Sequence, residues 1–115
     1  MSQREGHLRL RHMLDYSREA AALVAGRTRG DLDADRQLNL ALVRLLEIVG
    51  EAASRTTDEE RLQSPSIPWG QIVALRNRLI HGYDSVDFDV LWGIVSGDLP
   101  KLIAELERLL PGGES

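Results

Sequence analysis

Apolar residues recur every three or four positions along most of this chain, and the clearest stretch lies between residues 38 and 53. Its unbroken apolar stripe consists of Leu38, Leu42, Leu45, Leu46, Val49, Ala52 and Ala53. This spacing predicts one face of an α-helix, and Asp33 or Asp35 is placed to cap its start. Such a stripe has to be buried against other helices, so it constrains the chain to a helical fold.

Three further segments share this period, at roughly Arg4–Ala25, from Trp69 to Ile80 or His81, and from Asp87 onward. Turn residues between Gly26 and Gly30 and an irregular connector over Gln63–Pro68 separate them. We therefore predict an all-α fold, a bundle of four helices that forms a single domain over residues 1–115.

The fourth segment contains Gly97 and Pro100, two residues that usually end a helix. Its apolar stripe nevertheless keeps its phase on both sides of Pro100. This continuity predicts one kinked helix rather than two short ones.

Composition excludes several classes of site and location. The chain has no cysteine, so disulfides, thiolate metal sites and a cysteine nucleophile are ruled out. Its formal net charge is -4. No signal peptide is visible and no apolar segment approaches the ~20 residues of a membrane span, so we expect a soluble, cytoplasmic protein. Because nucleic-acid-binding domains are usually basic, any contact with RNA is expected to be local, through a few arginines, or shared with a partner.

Polar and titratable side chains concentrate in one run, Arg76-Asn77-Arg78-Leu79-Ile80-His81-Gly82-Tyr83-Asp84. Arginine offers a forked cation that matches a phosphate, and histidine exchanges protons near neutral pH. Together they suffice for metal-free cleavage of RNA by its own 2′-hydroxyl, with His81 handling the proton and Arg76 stabilising charge on the phosphoryl oxygens. Spacing alone leaves a second reading open, in which these residues only cap a helix end.

The run resembles the motif of the HEPN superfamily in the Arg-x4-His-x-Tyr form of HepT-like toxins. Other segments agree in order: Leu46–Ala53 and Ile67–Trp69 before the motif, then Val86-Asp87, Leu91-Trp92 and Asp98–Pro100 after it. The resemblance implies a HEPN-like antiparallel four-helix bundle and a homodimer with both motifs at one cleft. It further implies metal-independent ribonuclease activity without a cofactor. It also implies a type VII toxin-antitoxin pair, whose minimal nucleotidyltransferase antitoxin silences the toxin by AMPylation.

Carried over by position, the resemblance assigns catalysis to Arg76 and His81, an assisting polar role to Asn77 and AMPylation to Tyr83. Arg78 occupies a variable position, and we expect it to contact an RNA phosphate. The expected substrate is therefore RNA, with tRNA among the candidates, and the antitoxin is expected to bind the dimer, in a complex that could be a larger hetero-oligomer.

Two glutamates four residues apart on the predicted second helix, Glu47 and Glu51, are placed to hold an arginine of the third helix. A solvated helix face is the alternative. For the whole chain, the alternatives are a non-catalytic HEPN module that binds a nucleotidyltransferase or nucleotide, and a purely structural dimerisation bundle.

Overall fold

The computed structural model describes residues 3–81 and 85–110, with side chains for residues 7–79 and 85–110. Its helices are α1 (Gln3–Val24), α2 (Arg29–Ala34), α3 (Arg36–Ser54), α4 (Asp58–Gln63), α5 (Trp69–Val73), α6 (Leu75–Leu79), α7 (Phe88–Gly93) and α8 (Leu99–Leu109). A π-helical segment, Ile94–Asp98, joins α7 to α8, and a two-residue antiparallel ladder pairs β1 (Ile80–His81) with β2 (Ser85–Val86). The prediction of an all-α fold is confirmed.

The core lies where α1, α3 and the C-terminal helices meet. Helix α1 packs against α3 and α8, while α3 also contacts α2, α5 and α6. The largest fully buried apolar side chains are Met13, Leu14, Leu32, Leu42, Leu46, Leu79, Leu91 and Leu106. The predicted apolar stripe of α3 is thus the central element of the packing, and it fixes the position of every helix around it.

Helix α3 begins where the sequence indicated. The carboxylate of Asp35 accepts a hydrogen bond from the backbone N–H of Leu38 at 3.0 Å, so Asp35, rather than Asp33, is the N-cap. This bond satisfies one of the first-turn donors that have no partner within the helix.

Glycine at position 50 allows α3 to approach α5 and α6 closely. A Cβ added to Gly50 would lie 3.1 Å from the carbonyl oxygen of Ile72 and 3.9 Å from the Cβ of Leu75. The first distance is shorter than an ordinary van der Waals contact, so a side chain there would push the two helices apart. Since α6 carries Arg76 to Arg78, this contact sets how near the motif lies to α3.

The predicted third helix ends earlier than expected. Ala74 separates α5 from α6, and the helix stops at Leu79 instead of Ile80 or His81. Ile80 pairs with Val86, and the backbone N–H of Asp87 donates to the carbonyl of Leu79 at 2.9 Å. The chain leaves the helix because this short ladder takes the backbone groups that another helical turn would need.

The C-terminal segment is one continuous helical run through its π-helical part. At its end, the N–H of Leu99 donates to the carbonyl of Ile94, five residues earlier. Pro100 follows as one of the first residues of α8, where its missing N–H is best tolerated. The wider π turn thus carries the chain past Pro100 without breaking the helix.

Two short helices were not predicted. Helix α2 includes Gly30, which was interpreted as a turn residue, and α4 lies in the stretch before the connector. Both begin with a capping box: Thr28 with Asp31, and Thr57 with Glu60. That pattern, a Thr followed three residues later by an acid, was the available signal.

None of the helices in residues 3–81 and 85–110 is both long enough and apolar enough to cross a bilayer.

Candidate active site

Four helices, α1, α3, α5 and α6, line a cavity of about 970 Å³. Along α1, along α3 and across the α5–α6 junction, lining residues recur three or four positions apart, so these stretches face the same space. The lining residues are Leu8, Arg9, His12 and Tyr16 of α1, then Arg44, Glu47, Ile48, Gly50, Glu51, Ala52 and Ser54 of α3 with the adjoining Arg55, and finally Val73, Arg76 and Asn77 of α5 and α6. Two of the predicted site residues, Arg76 and Asn77, are therefore neighbours on one wall.

Arginines dominate the charge of this cavity. Three of the four carry a carboxylate partner: Arg9 binds Glu60 at 2.8 Å, Arg55 binds Glu51 at 3.0 Å, and Arg44 lies 3.6 Å from Glu47. Within the described part of the chain, Arg76 has no such partner and its side chain is exposed. Its guanidinium, with the amide of Asn77 beside it, can donate hydrogen bonds to the oxygens of an anion such as a phosphate.

The two glutamates line the cavity, but their ion pairs differ from the prediction. In place of an arginine of the third helix, Glu51 binds Arg55 and Glu47 lies near Arg44. Each pair joins residues three or four apart in the same stretch of chain, a separation that any regular helix brings into contact. The proposed support for a motif arginine is therefore not made through a direct ion pair in the described structure.

Arg78 points to another side of α6. Its guanidinium lies 3.5 Å from the carboxylate of Asp98, at the end of the π-helical segment. It borders a small cavity of about 40 Å³ that is lined mainly by apolar residues between α3, α5 and the C-terminal helices. Two positions along an α-helix are about 200° apart, which explains why Arg76 and Arg78 face different surroundings.

The remaining two motif residues fall partly or wholly outside the described residues. The backbone of His81 belongs to β1, but its side chain lies outside the described part, and Tyr83 lies outside it altogether. The early end of α6 does change the geometry expected for His81. Because the helix stops at Leu79, the separation of about 140° between positions 76 and 81 of a regular helix no longer applies.

A half-buried ion pair anchors one edge of the cavity. The guanidinium Nη2 of Arg9 donates to both carboxylate oxygens of Glu60 at 2.8 Å, and the backbone N–H of Thr57 donates to Glu60 at 3.0 Å. Burial by itself would raise the pKa of Glu60, but the hydrogen bonds from Arg9 and Thr57 outweigh it and hold that pKa below its ordinary value. The pair fixes α1 against α4.

Among residues with described side chains, no three His, Asp or Glu groups converge in a way that could hold a metal ion.

Sequence reasoning missed the part of the site that α1 contributes. His12 and Tyr16 were given no functional role, yet both line the cavity with Arg76. The signal was present as polar or exposed residues at positions 8, 12 and 16, off the buried face of an otherwise amphipathic helix.

Comparison with known proteins identifies the family of the chain. The family model described as "Ribonuclease HepT-like" matches residues 13–109. The chain is 38% identical over 79 residues to "Probable ribonuclease HepT" of Thermococcus cleftensis, covering 69% of this chain and 72% of that protein. It is 41% identical over 73 residues to the RNase-named protein MJ1380 of Methanocaldococcus jannaschii, covering 64% of this chain and 67% of that protein.

A third relative extends the match over nearly the whole chain. The RNase-named protein TTE0752 of Caldanaerobacter subterraneus is 32% identical over 101 residues, which cover 88% of this chain and 90% of that protein. No solved structure matches the chain. The family match and these relatives show that the chain belongs to the HepT-like ribonuclease family and is an endoribonuclease.

Proposed function

We propose that this chain is the toxin of a type VII toxin-antitoxin pair, a metal-independent endoribonuclease that cleaves RNA by attack of the 2′-hydroxyl. The observation that supports it most is Arg76, an exposed arginine without a carboxylate partner in the described structure, in a cavity with three further arginines. Although the chain as a whole is acidic, the exposed guanidinium of Arg76 offers a local binding site for an RNA phosphate.

In the proposed reaction, the oxygen of the 2′-hydroxyl attacks the adjacent phosphorus and the bond to the 5′-oxygen breaks. His81 transfers the protons: the 2′-hydroxyl loses one and the departing 5′-oxygen gains one. Arg76 stabilises the charge on the non-bridging oxygens, with Asn77 as a second donor. The products are a 2′,3′-cyclic phosphate and a 5′-hydroxyl, and DNA, which lacks the nucleophile, is not cut.

The test uses purified protein, free of its partner and treated with chelator, incubated with tRNA and total cellular RNA. Wild-type protein should cleave, whereas Arg76→Ala and His81→Ala should lose about 100-fold or more of the rate, the usual contribution of a proton-transfer or charge-stabilising group. Arg36→Ala is the matched control, because Arg36 is an exposed arginine of α3 outside the cavity lining. Equal rates in all variants would show that the activity belongs to a contaminant or another site.

Regulation forms the second part of the proposal. AMPylation of Tyr83 by a cognate nucleotidyltransferase would add bulk and negative charge beside the motif, where an RNA phosphate has to bind. Co-expression with the neighbouring nucleotidyltransferase should raise the intact mass by one or more AMP units, and Tyr83→Phe should abolish the increase. An unchanged wild-type mass would reject this mode of control but leave the nuclease proposal standing.

We also propose a homodimer that brings two motifs to one cleft. Light scattering on the purified chain should give twice the monomer mass. A non-catalytic module that only binds the nucleotidyltransferase would instead bind that partner and leave RNA intact.

A further inference from the structure

One face of α1 lines the cavity of Arg76 without belonging to the motif. Leu8, His12 and Tyr16 are four residues apart, so their side chains form a single row along the helix. The row faces Arg76 and Asn77 across the same space. Nothing in the Arg-x4-His-x-Tyr motif accounts for it.

Core packing explains only part of this row, since Tyr16 is partly buried and packs against the core whereas Leu8 and His12 do not. The buried face of α1 is made by other positions: Leu10, Met13, Leu14, Ser17 and Ala20. In contrast, His12 is exposed, Leu8 is 54% exposed, and Tyr16 is half-buried. An exposed leucine, an imidazole and a phenol in one row make a surface that offers both apolar contact and hydrogen bonds.

The cavity is larger than one phosphate requires. Its volume of about 970 Å³ lies near the upper end of the roughly 300–1,000 Å³ that ligand sites occupy. On the α3 wall, the side chain of Arg44 is 71% exposed and its guanidinium lies 3.6 Å from the carboxylate of Glu47. Because such an exposed pair is weak, a phosphate can replace Glu47 as the partner of Arg44. The space therefore provides an apolar and aromatic wall between two cationic positions, Arg44 and Arg76.

We propose that His12 and Tyr16 form a subsite for one nucleotide of single-stranded RNA beside the scissile phosphate. The base lies against Tyr16 and Leu8, His12 hydrogen-bonds the base or ribose, and Arg44 contacts the next phosphate. Splayed bases held by aromatic side chains, with cations on the backbone, are how proteins bind single-stranded RNA. This subsite rests on the proposed ribonuclease function, because it extends the same cavity.

The test measures binding and cleavage separately. Binding uses fluorescence anisotropy with a single-stranded 2′-fluoro oligonucleotide, which lacks the nucleophile and cannot be cut, and cleavage uses RNA of the same sequence. We expect His12→Ala and Tyr16→Leu each to weaken binding about tenfold, the effect of losing one base contact, while Tyr16→Phe stays near wild type. His7→Ala is the control, because His7 also lies on α1 but lines a different cavity.

Thermal unfolding accompanies each variant, and the exposed His12 keeps the test valid if Tyr16→Leu folds poorly. If wild type binds and cleaves but both variants bind equally well, the subsite is rejected and the nuclease proposal stands. If the variants bind more weakly but even wild type cleaves nothing, the subsite stands and the nuclease mechanism is rejected. If wild type binds no oligonucleotide, the subsite is rejected. If the variants change only the mass of the oligomer, the row contacts a second copy of the chain and the subsite is likewise rejected.

Discussion

Arg78 and Asp98 form an ion pair across 3.5 Å, between the motif helix α6 and the π-helical segment of the C-terminal run. This pair directs Arg78 away from the cavity that Arg76 lines. It also links α6 to the widest turn of the C-terminal helix. The two motif arginines therefore have different surroundings although one residue separates them.

The pair predicts different phenotypes for the two arginines. Arg78→Ala should change RNA affinity less than threefold, because its charge is already matched by Asp98, whereas Arg76→Ala should abolish most cleavage. Both partners are partly exposed, so loss of the pair should lower the free energy of unfolding by only about 0.2–1 kcal/mol. Fluorescence anisotropy with the 2′-fluoro oligonucleotide, cleavage rates and urea denaturation of both variants check this. Equal loss of RNA affinity in both would support the original expectation that Arg78 contacts a phosphate.

Gly50→Ala should reduce cleavage more than stability. The new methyl would lie 3.1 Å from the Ile72 carbonyl oxygen and displace α5 and α6 by a few tenths of an ångström. The steric cost is partly offset by the roughly 1 kcal/mol that alanine gains over glycine in a helix. We expect a rate about tenfold lower, since catalytic geometry tolerates little displacement. Gly93→Ala is the control, because no atom lies within 4 Å of its added Cβ and the rate should not change.

Glu60 should contribute to the loss of stability of the folded protein at acid pH. Because the hydrogen bonds of Arg9 and Thr57 keep the pKa of Glu60 lowered in the folded protein, its contribution is fully present above the ordinary pKa of 4.5. It is lost as the pH falls from there through the lowered pKa. Glu60→Gln should therefore be destabilised near pH 7 and lose less further stability on acidification than wild type. Melting temperatures between pH 7 and pH 3 test this, with the exposed neighbour Glu59→Gln as control. A parallel acid response in wild type and Glu60→Gln would contradict it.

Removing the N-cap of α3 should destabilise the whole fold without a local effect on the site. Asp35→Ala deletes the bond to the N–H of Leu38 and should lower the free energy of unfolding by about 0.5–2 kcal/mol. Asp35→Asn, which keeps an acceptor, should retain most of that stability. Urea denaturation measures both, and cleavage below the melting temperature should stay unchanged. A loss in Asp35→Asn as large as in Asp35→Ala would assign the effect to the charge, which also pairs with Arg27 at 3.4 Å.

The sequence predicted helix positions and caps well, because both depend on residues that are close together in the chain. The apolar period placed α1 and α3 within one or two residues, and Asp35 caps α3 as expected. The fourth helical segment starts at Asp87, as predicted, and Asp87 is its N-cap. The apolar stripe, which continues across Pro100, correctly indicated one helical run. The spacing of apolar residues did not, however, indicate the π-helical segment that allows the helix to continue. Both capping boxes were readable and were overlooked.

By itself, the sequence determined the all-α fold, the central helix and the family. Helical periodicity, helix caps and short motifs each depend on residues that are neighbours in the chain, so they can be recognised without the structure. Only the tertiary structure decided that Arg78 binds Asp98, that α6 stops at Leu79, and that His12 and Tyr16 share a cavity with Arg76. These relationships join residues 6 to 64 positions apart in the chain, and their side chains meet only once the packing of α3 against its neighbours has fixed where each helix lies.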